Sequence, residues 1–435
     1  MSSSDAGPIR DNPVVVTGVG AVTALGQSAA ETWSGLLSGE EGIRPIEGFN
    51  VEGFGCKLAA QVRGLDPEAL GLHSKAARIM DTHSFMLMKC AKEAFAQARL
   101  DAAPFAEDEI GFFAGMGMVD YQIDDLVPAV VASKDRDGGL DMEAFYSSGY
   151  EAIYSLIILY TLNNVSLCQA AIELKIRGEN AVFSPHADSG AYAIAEAVQT
   201  LAAGRAEAVL AGGVSEKVSP FGLARAHLQG NLNTVGAGGA ALCRPFGADR
   251  RGTILGEGCG ILALESRASA DKRGVPYAAM ITGWGSAFGC EEDFNAPTTD
   301  AIARAMKTAL QSATLSPSDI DLLIAHGDGT SMGDRNEFRA VHEVFANSLD
   351  RVVVFSSKGA LGHLLAGAPA VDAIMGISML TEGIIPAALH CAPVDQSVKF
   401  RVITKKPVQA SPRRLMVNCR SDRGQCASLI LEAAR

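Results

Sequence analysis

Two stretches in the second half of the chain decide the fold: Ala325–Glu337 (AHGDGTSMGDRNE) and Ser357–Pro369 (SKGALGHLLAGAP). Each carries a histidine on a glycine-rich turn, His326 in the first stretch and His363 in the second. Apolar runs precede both turns and stretches of helical length follow them, which is the pattern of a strand, a turn and a helix. A histidine at a strand end faces a cleft, whereas one on an apolar helix face is packed. We therefore predict that both rings belong to an active site.

The same alternation continues outward along the chain. Short β-branched runs end in glycine at Val14–Gly18, Ile110–Gly115 and Ala208–Gly213, and alanine-rich stretches such as Ala187–Ala203 lie between them. Near-continuous apolar strands that alternate with helices are typical of a layered α/β fold with buried sheets. The sequence therefore predicts the α/β class.

The two halves of the chain resemble each other. Three segments have counterparts in the same order: Val14–Ala21 and Ala279–Ser286, Asp108–Gly117 and Ile320–Gly329, Ala181–Pro185 and Val353–Ser357. A chance likeness between βα units is the alternative, but three ordered matches favour a duplicated core. In such a core the turns after Phe183 and Phe355 should converge on one site. We place the halves at 1–265 and 266–435, with an insertion at about 116–160 that is typical of a partner interface or a pocket wall.

Composition narrows the function classes. The 435 residues are 48% hydrophobic and 20% charged, so the chain can bury a large core. A net charge of −12 argues against nucleic acid as a partner, because phosphate binding needs a basic surface. Nine cysteines without a CxxC pair indicate the reduced thiols of a cytoplasmic protein, not a disulfide scaffold or a zinc site. No apolar run reaches the roughly eighteen residues of a membrane span, so we expect no membrane contact.

The two histidine motifs, HGxGTxxxDxxE at 326–337 and KxxxGHLL at 358–365, resemble those of the β-ketoacyl synthases, the condensing enzymes of the thiolase fold. Further matching stretches are Val14–Gly26, Leu210–Gly213, Arg244–Gly252 and Gly256–Glu265. The resemblance covers nearly the whole chain and points to the subgroup with two active-site histidines. It implies a thiolase-like fold with a duplicated five-layer α-β-α-β-α core and pseudo-twofold symmetry. We expect no cofactor and no metal ion.

The resemblance also implies roles for individual residues. In that family a cysteine at the turn before a helix attacks the acyl thioester, and the helix N-terminus lowers the pKa of its thiol. Two histidines donate hydrogen bonds to the thioester carbonyl of the malonyl-carrier, and by position they are His326 and His363. The family pattern further pairs Lys358 with Glu337.

The nucleophile is where this chain departs from the family. Ala187 occupies the cysteine position, and a methyl group cannot attack a thioester. The adjacent His186, Asp188 and Ser189 are alternative nucleophiles, but their side chains should leave the turn in other directions. Cys168, on the preceding helical stretch, is predicted to be a small core residue.

A second departure lies near the C-terminus. The family's flexible Gly-Phe-Gly-Gly loop, whose phenylalanine gates the acyl pocket, corresponds to a part of Asn418–Cys426 in which Asp422 replaces the phenylalanine. The threonine that follows His-Gly in the family is Asp328 here. Loss of nucleophile and gate together indicates a natural loss of condensing activity.

Non-condensing relatives of this kind include the chain length factor, the ketosynthase β-subunit of type II polyketide synthases. Such a subunit forms a heterodimer with a catalytic ketosynthase subunit, shapes the acyl-chain pocket and works with an acyl carrier protein. Met118 matches a position that lines the far end of that pocket. Many chain length factors carry glutamine at the nucleophile position and have lost the histidines, whereas this chain has Ala187 and keeps both rings.

Three alternatives stay open. In the first, the chain is a decarboxylase that uses the two histidines to turn the malonyl-carrier into primer units. In the second, it is an active synthase in which cysteine has been exchanged for alanine. The third alternative is a scaffold that only stabilises its partner. Whether the chain is an enzyme therefore stays open too, because these alternatives differ in chemistry and not in fold.

Overall fold

A computed structural model describes residues 13–72, 77–120, 123–235, 238–292 and 296–434. The strands are β1 Val14–Thr23, β2 Arg44–Pro45, β3 Leu58–Ala59, β4 Ile110–Met116, β5 Asn180–Phe183, β6 Ala208–Val214, β7 Gly258–Ser266, β8 Ala279–Phe288, β9 Leu322–Ile324, β10 Val353–Phe355, β11 Ile384–Ile385, β12 Arg401–Val402, β13 Val408–Gln409, β14 Arg414–Arg420 and β15 Gln425–Ala433. The α-helices are α1 Ala29–Ser38, α2 Thr82–Gln97, α3 Ile123–Ala132, α4 Met142–Ser147, α5 Ile157–Thr161, α6 Asn163–Leu174, α7 Ser189–Ala202, α8 Pro220–Leu228, α9 Arg267–Arg273, α10 Thr299–Ser312, α11 Ser331–Val344, α12 Lys358–Leu361 and α13 Ala368–Glu382.

The large sheet contains the same five-stranded unit twice. Its strand order is β12-β10-β9-β14-β15-β8-β1-β7-β6-β4-β5. From the centre outward, β1-β7-β6 and β8-β15-β14 pair antiparallel, and β6-β4-β5 and β14-β9-β10 then pair parallel. The units join where Val14–Val16 pairs with Ala279–Ile281. Because β1, β4 and β5 correspond to β8, β9 and β10, the three sequence matches fall on equivalent strands and the predicted duplication is confirmed.

Helices form three layers around the two units. Helices α2 and α6 pack against the first unit in one hydrophobic cluster, and α10 and α11 pack against the second unit in another. Helices α7 and α13 lie in the central cluster, which includes residues from both units. Helix α13 is apolar on nearly all sides, as expected of a helix between two sheets. This is the predicted α-β-α-β-α arrangement.

The glycines at the centre allow the closest approaches. A Cβ on Gly115 of β4 would overlap the backbone of Ser189 and Gly190, and one on Gly190 would overlap the Ala366 carbonyl. Helix α7 can therefore begin directly against the sheet and against the turn before α13. This packing fixes the position of Ala187, two residues before α7.

One predicted core residue is on the surface. Cys168 is exposed on α6, so its assignment to the core is wrong. The buried positions of this helix are Ser166, Leu167 and Ala170, and the helical repeat turns Cys168 away from them. Among the described residues, no helix is long and apolar enough to cross a membrane.

Candidate functional site

A cavity of about 90 Å³, called the chamber below, lies where the two halves meet. It is lined by most of the predicted site residues and by several polar side chains besides: Met118, His186, Ala187, Glu216, Arg225, Asn231, His326, Asp328, His363, Arg420 and Asp422. Lys358 and Glu337 do not line it and lie behind its wall. The turns after β5 and β9 therefore open onto one space, and His363 reaches it from the segment after helix α12. The turn directly after Phe355, which was predicted to converge with the turn after Phe183, does not line the chamber.

Ala187 is where a helix terminus would activate a nucleophile. It is 5% exposed and precedes α7, whose N-cap is Asp188. The first N–H groups of a helix and its dipole would favour a thiolate there, but the methyl group has no such chemistry. His186 lines the chamber, whereas Asp188 and Ser189 do not.

The two histidine rings pack edge to face in the wall of the chamber, with centroids 4.8 Å apart. Nδ1 of His326 accepts the Arg420 backbone N–H at 3.3 Å, and Nδ1 of His363 accepts the Leu365 N–H at 3.2 Å. Burial and the nearby Lys358 lower the pKa of His363 to about 3 and hold that of His326 well below its usual value. Both rings are thus neutral near pH 7, and these bonds assign the remaining proton of each to Nε2.

This protonation pattern bears on metal binding. His326, Asp328 and His363 offer ligand atoms within 4.8 Å of one another, close enough to hold a metal ion. A metal on Nε2 would move each ring proton to Nδ1, where it would oppose a backbone N–H. The arrangement therefore favours two N–H donors directed at an oxygen, and the expectation of no metal stays a prediction.

Asp328 stands beside these donors as part of a buried ion pair. Its Oδ2 lies 3.5 Å from Nε2 of His326, and its Oδ1 accepts Nη2 of Arg420 at 2.8 Å. Thr330 donates to the same Oδ1 through its N–H at 2.9 Å and its hydroxyl at 2.7 Å. Burial alone would raise the pKa of Asp328, but Arg420 and His326 outweigh it and hold that pKa well below the usual value.

A second buried carboxyl completes this cluster. Asp334 accepts backbone N–H groups from Phe246, Asp328 and Gly329 and lies 3.6 Å from Arg420 Nη2. Burial and the Asp328 charge raise the pKa of Asp334 to about 8. Burial and the Asp328 charge therefore favour the protonated form of Asp334, and Asp328 is the carboxylate that lies nearest to the Arg420 guanidinium.

The predicted pairing of Lys358 with Glu337 is wrong. Lys358 Nζ is buried 3.7 Å from Oδ2 of Asp372 on α13. Glu337 instead accepts the N–H groups of His326 and Gly327, each at 2.8 Å, and the Asn418 amide at 2.7 Å. Its carboxylate is already used by these donors in holding the turn after β9.

The far wall of the chamber is also charged. Arg225 of α8 forms ion pairs with Glu216 and, at 3.4 Å, with Asp120. Met118 lies beside this pair and lines both the chamber and a second cavity of about 470 Å³. Asp422 accepts a 3.4 Å bond from the Asn231 amide. An acyl chain would meet charge along this wall.

Comparison with known proteins identifies the family. The sequence profile of the β-ketoacyl synthase N-terminal domain matches residues 11–270, and that of the C-terminal domain matches residues 278–392. The chain belongs to the β-ketoacyl synthase family.

The relatives and solved structures that the chain resembles include proteins named as synthases and a ketosynthase/chain length factor. The chain is 27% identical over 425 residues to a 3-oxoacyl-[acyl-carrier-protein] synthase 2 of Staphylococcus aureus, covering 97% of this chain and 99% of that one. The structure of the ishigamide ketosynthase/chain length factor matches with a TM-score of 0.83 at 26% identity, over 98% of this chain and 100% of that one. A β-ketoacyl synthase from Burkholderia phymatum matches with a TM-score of 0.84 at 25% identity, over 98% and 100%.

Sequence reasoning about this family member missed the chamber's ion pairs. It identified Asp328 and the loop around Asp422 as departures from the family pattern, but it did not predict the ion pair between Asp328 and Arg420. An acid in place of the family's threonine at 328 is the signal that would have prompted a search for a basic partner. Nothing comparable marked Glu216 and Arg225 in the sequence.

Proposed function

We propose that this chain is a non-condensing chain length factor. It pairs with a catalytic ketosynthase in a type II polyketide synthase and shapes the acyl-chain pocket. The observation that carries the proposal is Ala187 at the start of α7, facing His326 and His363 in one chamber. The two histidines lie close together as a pair while the attacking atom is missing, so the chain cannot form an acyl-enzyme there.

The exposed apolar surface supports a protein partner. Among the described residues, twelve of the sixteen exposed large apolar side chains lie between positions 118 and 172, called the apolar segment below. The most exposed of them include Val131 at 56%, Tyr146 at 70% and Ile172 at 70%. Concentrations of apolar side chains on a surface mark interaction sites.

The edge of the sheet lies beside this segment. Strand β5 ends the order of the large sheet, and helix α6, which carries Ile172, packs against it. An edge strand offers free N–H and C=O groups to a strand of a partner. A second subunit of the same fold, the catalytic ketosynthase, is the partner that we assign to this surface.

The chamber charges weigh against two alternatives. An active synthase with cysteine exchanged for alanine would keep the family's threonine and phenylalanine, but this chain has Asp328 and Asp422 in their places around the same space. A decarboxylase would develop negative charge on an enolate next to the histidines, and the Asp328 carboxylate would repel it. Decarboxylation is therefore the weaker alternative, although the two Nε2–H groups are the donors that such an enzyme would use.

An acyl carrier protein is the second partner in the proposal, since the curated relatives are named for acyl-carrier-protein substrates. We also propose that the protein is located in the cytoplasm. All nine cysteines are free, which fits a reducing compartment.

Reconstitution with a type II ketosynthase from the same source tests the proposal. The two chains should co-purify as a heterodimer, and omission of this chain should abolish the polyketide. Full product formation by the ketosynthase alone would contradict the role.

Substitution at Met118 separates a chain length factor from a scaffold. Met118→Trp should shorten the product and Met118→Ala should lengthen it, because the side chain lines two adjoining cavities. Leu228→Ala is the matched control, since Leu228 is 85% exposed and does not line the chamber. If both Met118 variants form the heterodimer and product length is unchanged, the result would contradict pocket shaping and support the scaffold role.

A further inference from the structure

We propose that Asp328 and Arg420 form an internal plug that closes this chain's own chamber to acyl and malonyl thioesters. The plug is a barrier in addition to the missing nucleophile. It depends on the chamber alone, so it stands whether or not the chain pairs with a ketosynthase.

The position of Asp328 is the first argument. A thioester carbonyl bound by the two histidines would need its oxygen about 3 Å from each Nε2–H. Oδ2 of Asp328 already lies 3.5 Å from Nε2 of His326. The carboxylate thus occupies the position beside the Nε2–H group of His326 where a substrate oxygen would accept a hydrogen bond.

The second argument is how firmly the carboxylate is held. Three donors converge on Oδ1 of Asp328, two of them from Thr330 and one from Arg420. Arg420 is 2% exposed, and its backbone N–H also holds Nδ1 of His326. One residue therefore fixes both the imidazole and the carboxylate beside it.

Helix α11 provides the space that the guanidinium fills. A Cβ on Gly333, in the first turn of α11, would overlap Nη2 and Cζ of Arg420 and Oγ1 of Thr330. The absence of a side chain at 333 allows the ion pair to lie against the helix.

Charge is the third argument. A malonyl carboxylate or a forming enolate would meet the fixed negative charge of Asp328. Displacement of Asp328 would leave the buried Arg420 without its closest counter-ion, and breaking a buried pair is strongly unfavourable. The chamber therefore excludes these substrates even when a nucleophile is present.

The test restores the nucleophile with and without the plug. One variant is Ala187→Cys, and the other is Ala187→Cys/Asp328→Thr/Arg420→Phe. Each full-length protein is incubated with an octanoyl acyl carrier protein, and acylation is read from the intact mass of this chain. In the reaction the introduced thiolate attacks the thioester carbonyl carbon, the bond from that carbon to the carrier sulfur breaks, and the carrier thiolate takes up the proton that the introduced thiol gave up.

Acylation of Ala187→Cys should not exceed the background of the parent protein, which includes the exposed Cys168. The triple variant should acylate at least about tenfold faster. Ala187→Cys/Asp300→Thr/Arg304→Phe is the matched control, because it removes an exposed ion pair on α10 and should behave like the single variant.

Two results would overturn the plug: equal acylation of the single and triple variants, or no acylation of a folded triple variant. If the triple variant does not fold, Ala187→Cys/Asp328→Asn/Arg420→Met removes both charges at similar volume and should also exceed the single variant. Failure of that folded protein to do so overturns the proposal too. None of these measurements involves the ketosynthase subunit, so they are independent of the test of the proposed function.

Discussion

Neutral histidines in a buried chamber make the stability of this protein depend on pH. In the unfolded chain a histidine titrates near pH 6.5. In the folded chain burial lowers the pKa of His363 to about 3, and the pKa of His326 is also well below its usual value. Below pH 6.5 the unfolded state therefore binds protons that the folded state does not bind. The contribution of these rings to stability falls as the pH drops from about 6.5 towards 3.

Replacing one ring should reduce this dependence. From pH 7 to pH 5 the His363 contribution should fall by about 2 kcal/mol. His363→Asn keeps an acceptor for the Leu365 N–H, and its free energy of unfolding in urea should change less over that range than that of the parent. Raised carboxyl pKa values, such as about 7 for Glu216 and Glu257, act with opposite sign but are common to both proteins. An identical pH slope in parent and variant would contradict the assignment, and His227→Asn, at an exposed site, is the control.

At the scale of elements, Glu337 connects three parts of the second half. It lies on α11, accepts N–H groups from the turn after β9, and accepts the Asn418 amide of β14. The amide oxygen of Asn418 in turn accepts the Ser428 hydroxyl of β15 at 2.8 Å. The position of His326 therefore depends on a carboxylate that never reaches the chamber.

Glu337→Ala should destabilise the protein by about 3 kcal/mol, because it leaves two buried N–H groups and an amide without their charged acceptor. Urea unfolding measures the change. Glu343→Ala on the same helix is the control: its carboxylate pairs with Lys307 at the surface and should change stability by less than about 0.5 kcal/mol. Equal effects of the two substitutions would mean that the buried bonds of Glu337 carry no special stability.

The sequence could predict local elements but not which side chains of separate elements contact each other. The duplicated strands were predictable because each unit repeats a local pattern of apolar runs and glycines. The partner of Lys358 was not, because Asp372 lies on a separate helix and local patterns carry no information about which carboxylate it meets. The available signal was Asp372 itself, an acid in the middle of the largely apolar α13. Asp328 and Arg420 are likewise brought together by the pairing of β9 with β14, far apart in sequence.

At the scale of the whole molecule, the buried ion pairs and the exposed apolar side chains lie in different parts of the structure. The chain carries a net charge of −12, so an acidic carrier protein would need a local basic patch or the partner subunit to dock. The chamber contains buried ion pairs and little room, whereas the exposed apolar side chains collect in the apolar segment beside β5. This division fits a subunit that acts through its interface and not through its own chamber.

The apolar segment should therefore decide association with the ketosynthase. Val131→Asp and Tyr146→Asp place a charge where we expect an apolar contact, and each should weaken heterodimer formation by at least tenfold, a change of about 1.4 kcal/mol in binding free energy. Phe288→Asp is the matched control, because Phe288 is 62% exposed and lies outside the segment. Titration of labelled partner measures the affinity, and thermal unfolding checks that each variant is folded. If Phe288→Asp weakens binding as much as the other two, or if none of the three does, the partner binds elsewhere on the molecule.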